Sequence, residues 1–107
     1  MKEVLWHGSS YRDLCAFPAD AKRDAGYQLH QVQKGEEPSD WKPMPSIGAG
    51  VREIRIREES GAYRIIYVAN IGAQVHVLHA FQKKTQKASQ QDIELAKTRF
   101  KSLQGKP

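Results

Sequence analysis

Two groups of residues in the second half of the chain have the types and spacing to do chemistry. Arg55, Arg57 and Arg64 form one group, and Lys83, Lys84 and Lys87 form the other, with His76 and His79 between them. The lysine cluster sits in Gln82–Lys87 with no acidic residue among its members. No Ser–His–Asp arrangement and no glycine-rich phosphate loop is recognisable. Cys15 is the only cysteine, which excludes an internal disulfide and a cysteine-rich zinc site. What cationic groups alone can support is scission of an RNA strand. The ribose 2′-OH is an internal nucleophile, so a site needs mainly to align it with the phosphorus and stabilise charge on the phosphorane. Arginine can grip phosphate oxygens with two donors at once, and histidine or lysine can supply the base and the acid. His79, nearest the lysine cluster, is the histidine best placed for proton transfer. His7 and His30 lie in a weakly charged half and are expected at the surface.

Each of these residues also has an ordinary explanation. Arg55 or Arg57 could pair with Glu53, Arg64 with Glu58 or Glu59, and the lysines could be a solvated run. For the group as a whole, too few acidic side chains lie nearby to neutralise it. His76 and His79 invite a metal reading, but three residues apart on a strand they point to opposite faces unless a bulge intervenes. No metal and no cofactor is therefore expected.

The charge is unevenly placed along the 107 residues: six basic against seven acidic in 1–50, and eleven against five in 51–107, for a total of +5. A basic half on a chain long enough for one core favours nucleic acid or an acidic partner over a small neutral ligand. No window approaches the ~20 apolar residues of a membrane span, so a single cytoplasmic domain over 1–107 with no membrane partner is expected.

The elements that must position these residues can be read in order. Val4–Trp6 suits a short strand. Ser10 with Asp13 resembles a capping box and predicts a helix over Tyr11–Phe17. Pro18 suits the start of a second helix, in which Ala21, Ala25, Leu29 and Val32 make one apolar stripe and Gly35 a stop. Residues 35–50 hold three of the five prolines and three glycines, so neither strand nor helix is expected; Trp41 and Met44 would tack this loop to the body and cover a sheet edge. Val51–Glu58 alternates, with Ile54 and Ile56 on one face and Glu53, Arg55 and Arg57 on the other. Ala62–Asn70 and Gln74–Phe81 follow after short turns, the last as an apolar run fit for burial on both faces. Arg64, at the start of its strand, is expected to be exposed. Ser89 with Asp92 caps a final helix that buries Ile93, Ala96, Phe100 and Leu103 and turns Lys97, Arg99 and Lys101 largely outward. The fold class is α+β: a small antiparallel β-meander sheet covered on one face by the amphipathic N-terminal helices, with a C-terminal helix last.

Arg55-Ile56-Arg57, the run Gly61–Tyr67 and above all the run Val77–Lys87 resemble the RelE/ParE toxin superfamily, in its HigB-like, phage-derived branch. The similarity covers most of the chain. It implies a small RelE-like toxin of a type II toxin–antitoxin system, an mRNA endoribonuclease that inhibits translation, usually on the ribosome and without a metal. Arg64 matches the strand arginine that contacts the scissile phosphate in RNA-cleaving members, Lys83 and Lys84 the basic residues after the last strand, and Arg55 and Arg57 the basic pair before it. The chain departs from the branch at Ala88-Ser89, where Thr-Pro is common, and has no aromatic or histidine residue in Leu103–Pro107.

The implied partners are mRNA, the ribosome and a cognate antitoxin, commonly a helix-turn-helix protein. Such an antitoxin can cover Arg57, Arg64 and Lys83 with carboxylates or dock on the first two helices, where Tyr11, Phe17 and Tyr27 offer aromatic surface. The second route is the expected one. Two other readings compete: a ParE-like gyrase poison that performs no hydrolysis, and a basic nucleic-acid-binding module without catalysis.

Overall fold

The computed structural model describes residues 1–85 and 89–104. Lys87, one of the expected RNA-binding residues, lies outside them. Five strands and three helices are described: β1 Glu3–Trp6, α1 Ser10–Cys15, α2 Ala19–Gln33, β2 Trp41–Pro43, β3 Val51–Glu58, β4 Gly61–Ile71, β5 Gln74–Lys83 and α3 Gln90–Gln104. The strands make one sheet in the order β1-β5-β4-β3-β2. Every pairing is antiparallel except β1 with β5, whose partners include Val4 with Val75 and Trp6 with Val77.

The alternation of β3 and β4 sorts two cores onto the two faces of the sheet. Ile54, Ile56, Tyr63, Ile65 and Tyr67 face α1 and α2, which bring Leu14 and the stripe Ala21, Ala25, Leu29 and Val32. Val51, Ile66, Val68, Leu78 and Phe81 face the other way, against Ala96 and Phe100 of α3 and Met44 and Ile47 of the preceding loop. The N-terminal helices thus cover one face, as expected, and the C-terminal helix the other. A central sheet with β-branched residues on both sides needs cover on both, and α3 supplies the second layer.

The helix ends follow their side chains. α2 stops in a Schellman arrangement: Gly35, at φ +85°, donates to Val32 O at 3.0 Å and Glu36 donates to Gln31 O at 2.9 Å. α3 is capped as its sequence indicates, Ser89 Oγ accepting from the Asp92 amide at 3.1 Å and donating to the Asp92 carboxylate at 2.7 Å. α1 begins one residue early, after Ser9, whose Oγ donates to the Asp13 carboxylate at 2.7 Å, and it ends at Cys15. Ser10 is buried and donates to Val77 O at 3.2 Å. Phe17, beyond that helix, is a core residue 4.7 Å from the Tyr63 ring, and so is not docking surface.

Residues 35–50 do contain a strand. β2 pairs Trp41 with Ile54, Lys42 with Glu53 and Pro43 with Arg52, and so forms the sheet edge that this loop was expected only to cover. Proline is tolerated there because an edge strand has one side unpaired. The Trp41 ring lies under the Arg52 guanidinium at 4.0 Å, and Arg52 pairs with Glu37 at 2.6 Å. Met44 is buried and its amide donates to Val51 O at 2.8 Å.

Candidate nucleic-acid interface

β5 carries an irregularity that decides where its histidines point. Tyr67 of β4 pairs with Val77 and Ile66 pairs with His79, which leaves Leu78 as an extra residue on β5. The bulge shifts the alternation by one, so His76, opposite Val68, and His79, opposite Ile66, lie on the same face, that of α3. The expectation of opposite faces fails for this reason. Their partners nevertheless keep them apart. His76 Nδ1 is hydrogen-bonded to His7 Nε2 at 3.0 Å, whereas His79 Nε2 meets Asp92 at 2.7 Å and its ring stacks on Phe81. His7 is thus a half-buried partner rather than a surface residue.

Arg99 holds the bulge. It is partly buried rather than turned to solvent, donating from Nη1 to Leu78 O at 2.9 Å and from Nη2 to Ser9 Oγ at 3.2 Å. Gly8 is required beside it: at φ +55°, a Cβ there would stand 2.5 Å from Arg99 Nε. Burial, then the neighbouring His76 and Arg99, push the His7 pKa below its ordinary 6.5. Burial also lowers His76 from 6.5, against a smaller opposing effect of a hydrogen bond with the Ile71 backbone.

Past the bulge, the α3 face changes character. Its apolar half lies under α3; the half nearest the β3–β4 turn is cationic. The register sets Arg55 directly opposite Arg64 and Arg64 opposite Phe81, with Arg57, Ala62 and Lys83 forming the next row. Lys42 of β2 lies on the same face, opposite Glu53. The loop origin of Lys42 hid it from sequence reasoning, because its face is defined only once β2 pairs with β3. Lys84 is exposed just beyond β5. The structure thus brings Arg55, Arg57, Arg64 and Lys83 together on three adjacent strands, and leaves His79 behind Phe81, 5% exposed.

Arg64 is not the exposed strand-end cation its position suggests. It is 2% exposed, its Nη1 donates to Tyr63 O at 3.0 Å, and its Nε is 3.6 Å from Glu53 Oε1. Glu58 and Glu59 play no part in that pair, and Glu53 serves Arg64 rather than Arg55 or Arg57. Burial lowers the Arg64 pKa first, Glu53 opposes this, and Arg55 and Arg57 add to the lowering. Lys83 is also pushed below the ordinary lysine value, by desolvation and then by the Arg64 charge, with Glu53 opposing and Arg55 and Lys42 contributing. A lysine made easier to deprotonate, by desolvation first and by neighbouring cations second, can pass a proton as well as carry charge.

The family model described as Phage derived protein Gp49-like (DUF891) matches residues 12–101, from α1 through β2–β5 into α3. The chain belongs to the Gp49-like family. That family is part of the RelE/HigB toxin superfamily, so the Gp49-like chain is a relative of those toxins. No curated protein matches its sequence. The matched span includes the positions of the cationic face. A cleft of about 220 Å³ lined by Lys2, Arg52, Tyr67 and Asn70 shares no residue with that face. Among the described residues no helix is long and apolar enough to cross a membrane, and no three His, Cys, Asp or Glu side chains form a metal-binding group.

Proposed function

We infer that this Gp49-like protein is the toxin of a type II toxin–antitoxin system of the HigB-like branch, an endoribonuclease that cleaves mRNA on the ribosome by attack of the ribose 2′-OH. The observation that carries this reading is the register of β3, β4 and β5, which gathers Arg55, Arg57, Arg64 and Lys83 on one face with Lys42 beside them. A face of this charge suits an extended polyanion and supplies the charge stabilisation that phosphorane formation needs.

In this reading Arg55, Arg57, Lys84 and Lys87 hold the RNA backbone. Arg64 stabilises the phosphorane from beneath the face. Lys83, with its lowered pKa, takes or returns a proton. His79 joins β5 to the first turn of α3 through Asp92, and a His79→Gln variant tests whether it also transfers a proton. No step calls for a metal, because the nucleophile belongs to the substrate and the charge is met by side chains. The partner that silences the toxin is a cognate antitoxin.

Induced expression followed by mapping of mRNA 5′ ends tests this reading. New ends inside coding regions are expected with the wild type and are expected to vanish with Lys83→Gln. Intact transcripts in cells accumulating broken chromosomes would instead support a gyrase poison. Intact transcripts without growth inhibition would leave only a binding module.

A further inference from the structure

We propose that Glu53 is a positioning residue for the cationic face, a buried carboxylate that holds the Arg64 guanidinium in place so that Lys42, Arg55 and Lys83 can gather around it. The proposal rests on the cleavage reading of that face. Among the described strand positions on the cationic half, Glu53 is the only acidic one. It is 3% exposed, and a carboxylate so far from water persists only with a charged partner.

The register shows what it is surrounded by. Lys42 stands opposite Glu53 on β2, Ile66 opposite it on β4, and Arg55 two positions along its own strand on the same face. Arg55 in turn faces Arg64 directly, a like-charge cross-strand pair that is unfavourable without an anion nearby. Glu53 Oε1, 3.6 Å from Arg64 Nε, is that anion. Together with the bond from Nη1 to Tyr63 O at 3.0 Å, it fixes the guanidinium at two points. Held only by the backbone, the group could turn about its long side chain, and a misplaced charge stabilises a transition state poorly.

Burial also separates this role from direct catalysis. Glu53 and Arg64 are both buried, at 3% and 2% exposure, so the carboxylate acts on RNA only through the placement of the guanidinium charge it holds. Removing its charge therefore separates binding from chemistry, since the face becomes more cationic while its central group is released.

The experiment has two arms. The first uses no RNA: nitrogen-15 NMR of the arginine Nε–H groups in the wild type and in Glu53→Gln. A slowly exchanging Arg64 signal in the wild type, lost or accelerated in the variant, is expected; an unchanged signal overturns the proposal. The second compares single-turnover cleavage with RNA affinity. Glu53→Gln is expected to cleave at least tenfold more slowly while binding RNA as tightly as the wild type or tighter, and Glu53→Asp to regain part of the rate. Equal losses of rate, affinity and folded protein would reduce Glu53 to a structural residue, and an unchanged rate would remove it from the site. Loss of the acid limb of the pH–rate profile in Glu53→Gln would make Glu53 the proton acceptor and overturn the positioning role. If the wild-type protein cleaves no RNA, the cleavage reading fails on its own, and the NMR arm alone decides whether Glu53 holds Arg64.

Discussion

Arg64 shows how burial changes what a substitution can teach. At 2% exposure and paired with Glu53, it cannot be cut back to alanine without leaving a buried carboxylate unpaired. Arg64→Ala is expected to cost about 3 kcal/mol or more of stability, so lost toxicity in that variant would say little about chemistry. Arg64→Lys keeps the charge but not the planar fork. It is expected to stay folded by thermal melting while cleaving at least tenfold more slowly, and full activity would remove Arg64 from the site. The lysines allow a cleaner test because Lys84 is exposed and Lys83 partly so. Replacing both with Gln is expected to lower the slope of log affinity against log salt by roughly 1.4, about 0.7 for each lost contact to single-stranded RNA. An unchanged slope would mean that the two are merely solvated. The cationic residue types were legible in the sequence, since few acidic residues lie near them. The Arg64–Glu53 partnership was not, because it depends on the cross-strand register, which sequence spacing does not contain.

The long, periodic elements were legible and the irregular ones were not. The stripe of α2, the alternation of β3 and the Ser89–Asp92 cap each rest on local physics and match the structure. The bulge at Leu78 escapes such reasoning because nothing local marks it; it is set by how β5 meets β4 and by Arg99 reaching from α3 to the Leu78 carbonyl. β2 escaped for a related reason, its three residues gaining strand character only by pairing with β3. The bulge region also has a pH dependence. Both His7 and His76 have folded pKa values below 6.5, so the unfolded chain takes up protons first as the pH falls. Their contribution to stability is complete above 6.5 and is lost as the pH drops from there through the lowered folded values. Thermal melting between pH 7.5 and about pH 5 is expected to show a declining midpoint, and His76→Asn to flatten that decline. A midpoint equally steep in the variant would assign the effect to other groups.

Taken as a unit, the protein keeps its two helices α1 and α2 on one side of the sheet and the cluster of Lys42, Arg55, Arg57, Arg64 and Lys83 on the other. This bears on how an antitoxin would silence it. Of the three aromatic residues that made the helices attractive for docking, Phe17 is in the core, leaving Tyr11 and Tyr27, each 56% exposed. The cationic face, by contrast, presents Lys42 and Arg57 as exposed side chains, with Lys84 exposed just beyond β5. An acidic antitoxin segment laid over that face is therefore the expected mode. The affinity of the complex should fall by several decades between low and high salt, since such pairs are screened over about 8 Å at physiological ionic strength. Near-constant affinity would place the antitoxin on the helices instead.

The reaction itself can be probed through the substrate. If the cationic face works by aligning the ribose 2′-OH against the phosphorus, a message with a single 2′-deoxy nucleotide on the 5′ side of the scissile bond cannot be cut there. With purified protein and ribosomes programmed with matched messages, the all-ribose message should yield a fragment ending in a 2′,3′-cyclic phosphate, and the deoxy message should remain intact at that bond. Equal cleavage of the two messages would contradict a mechanism in which the RNA supplies its own nucleophile.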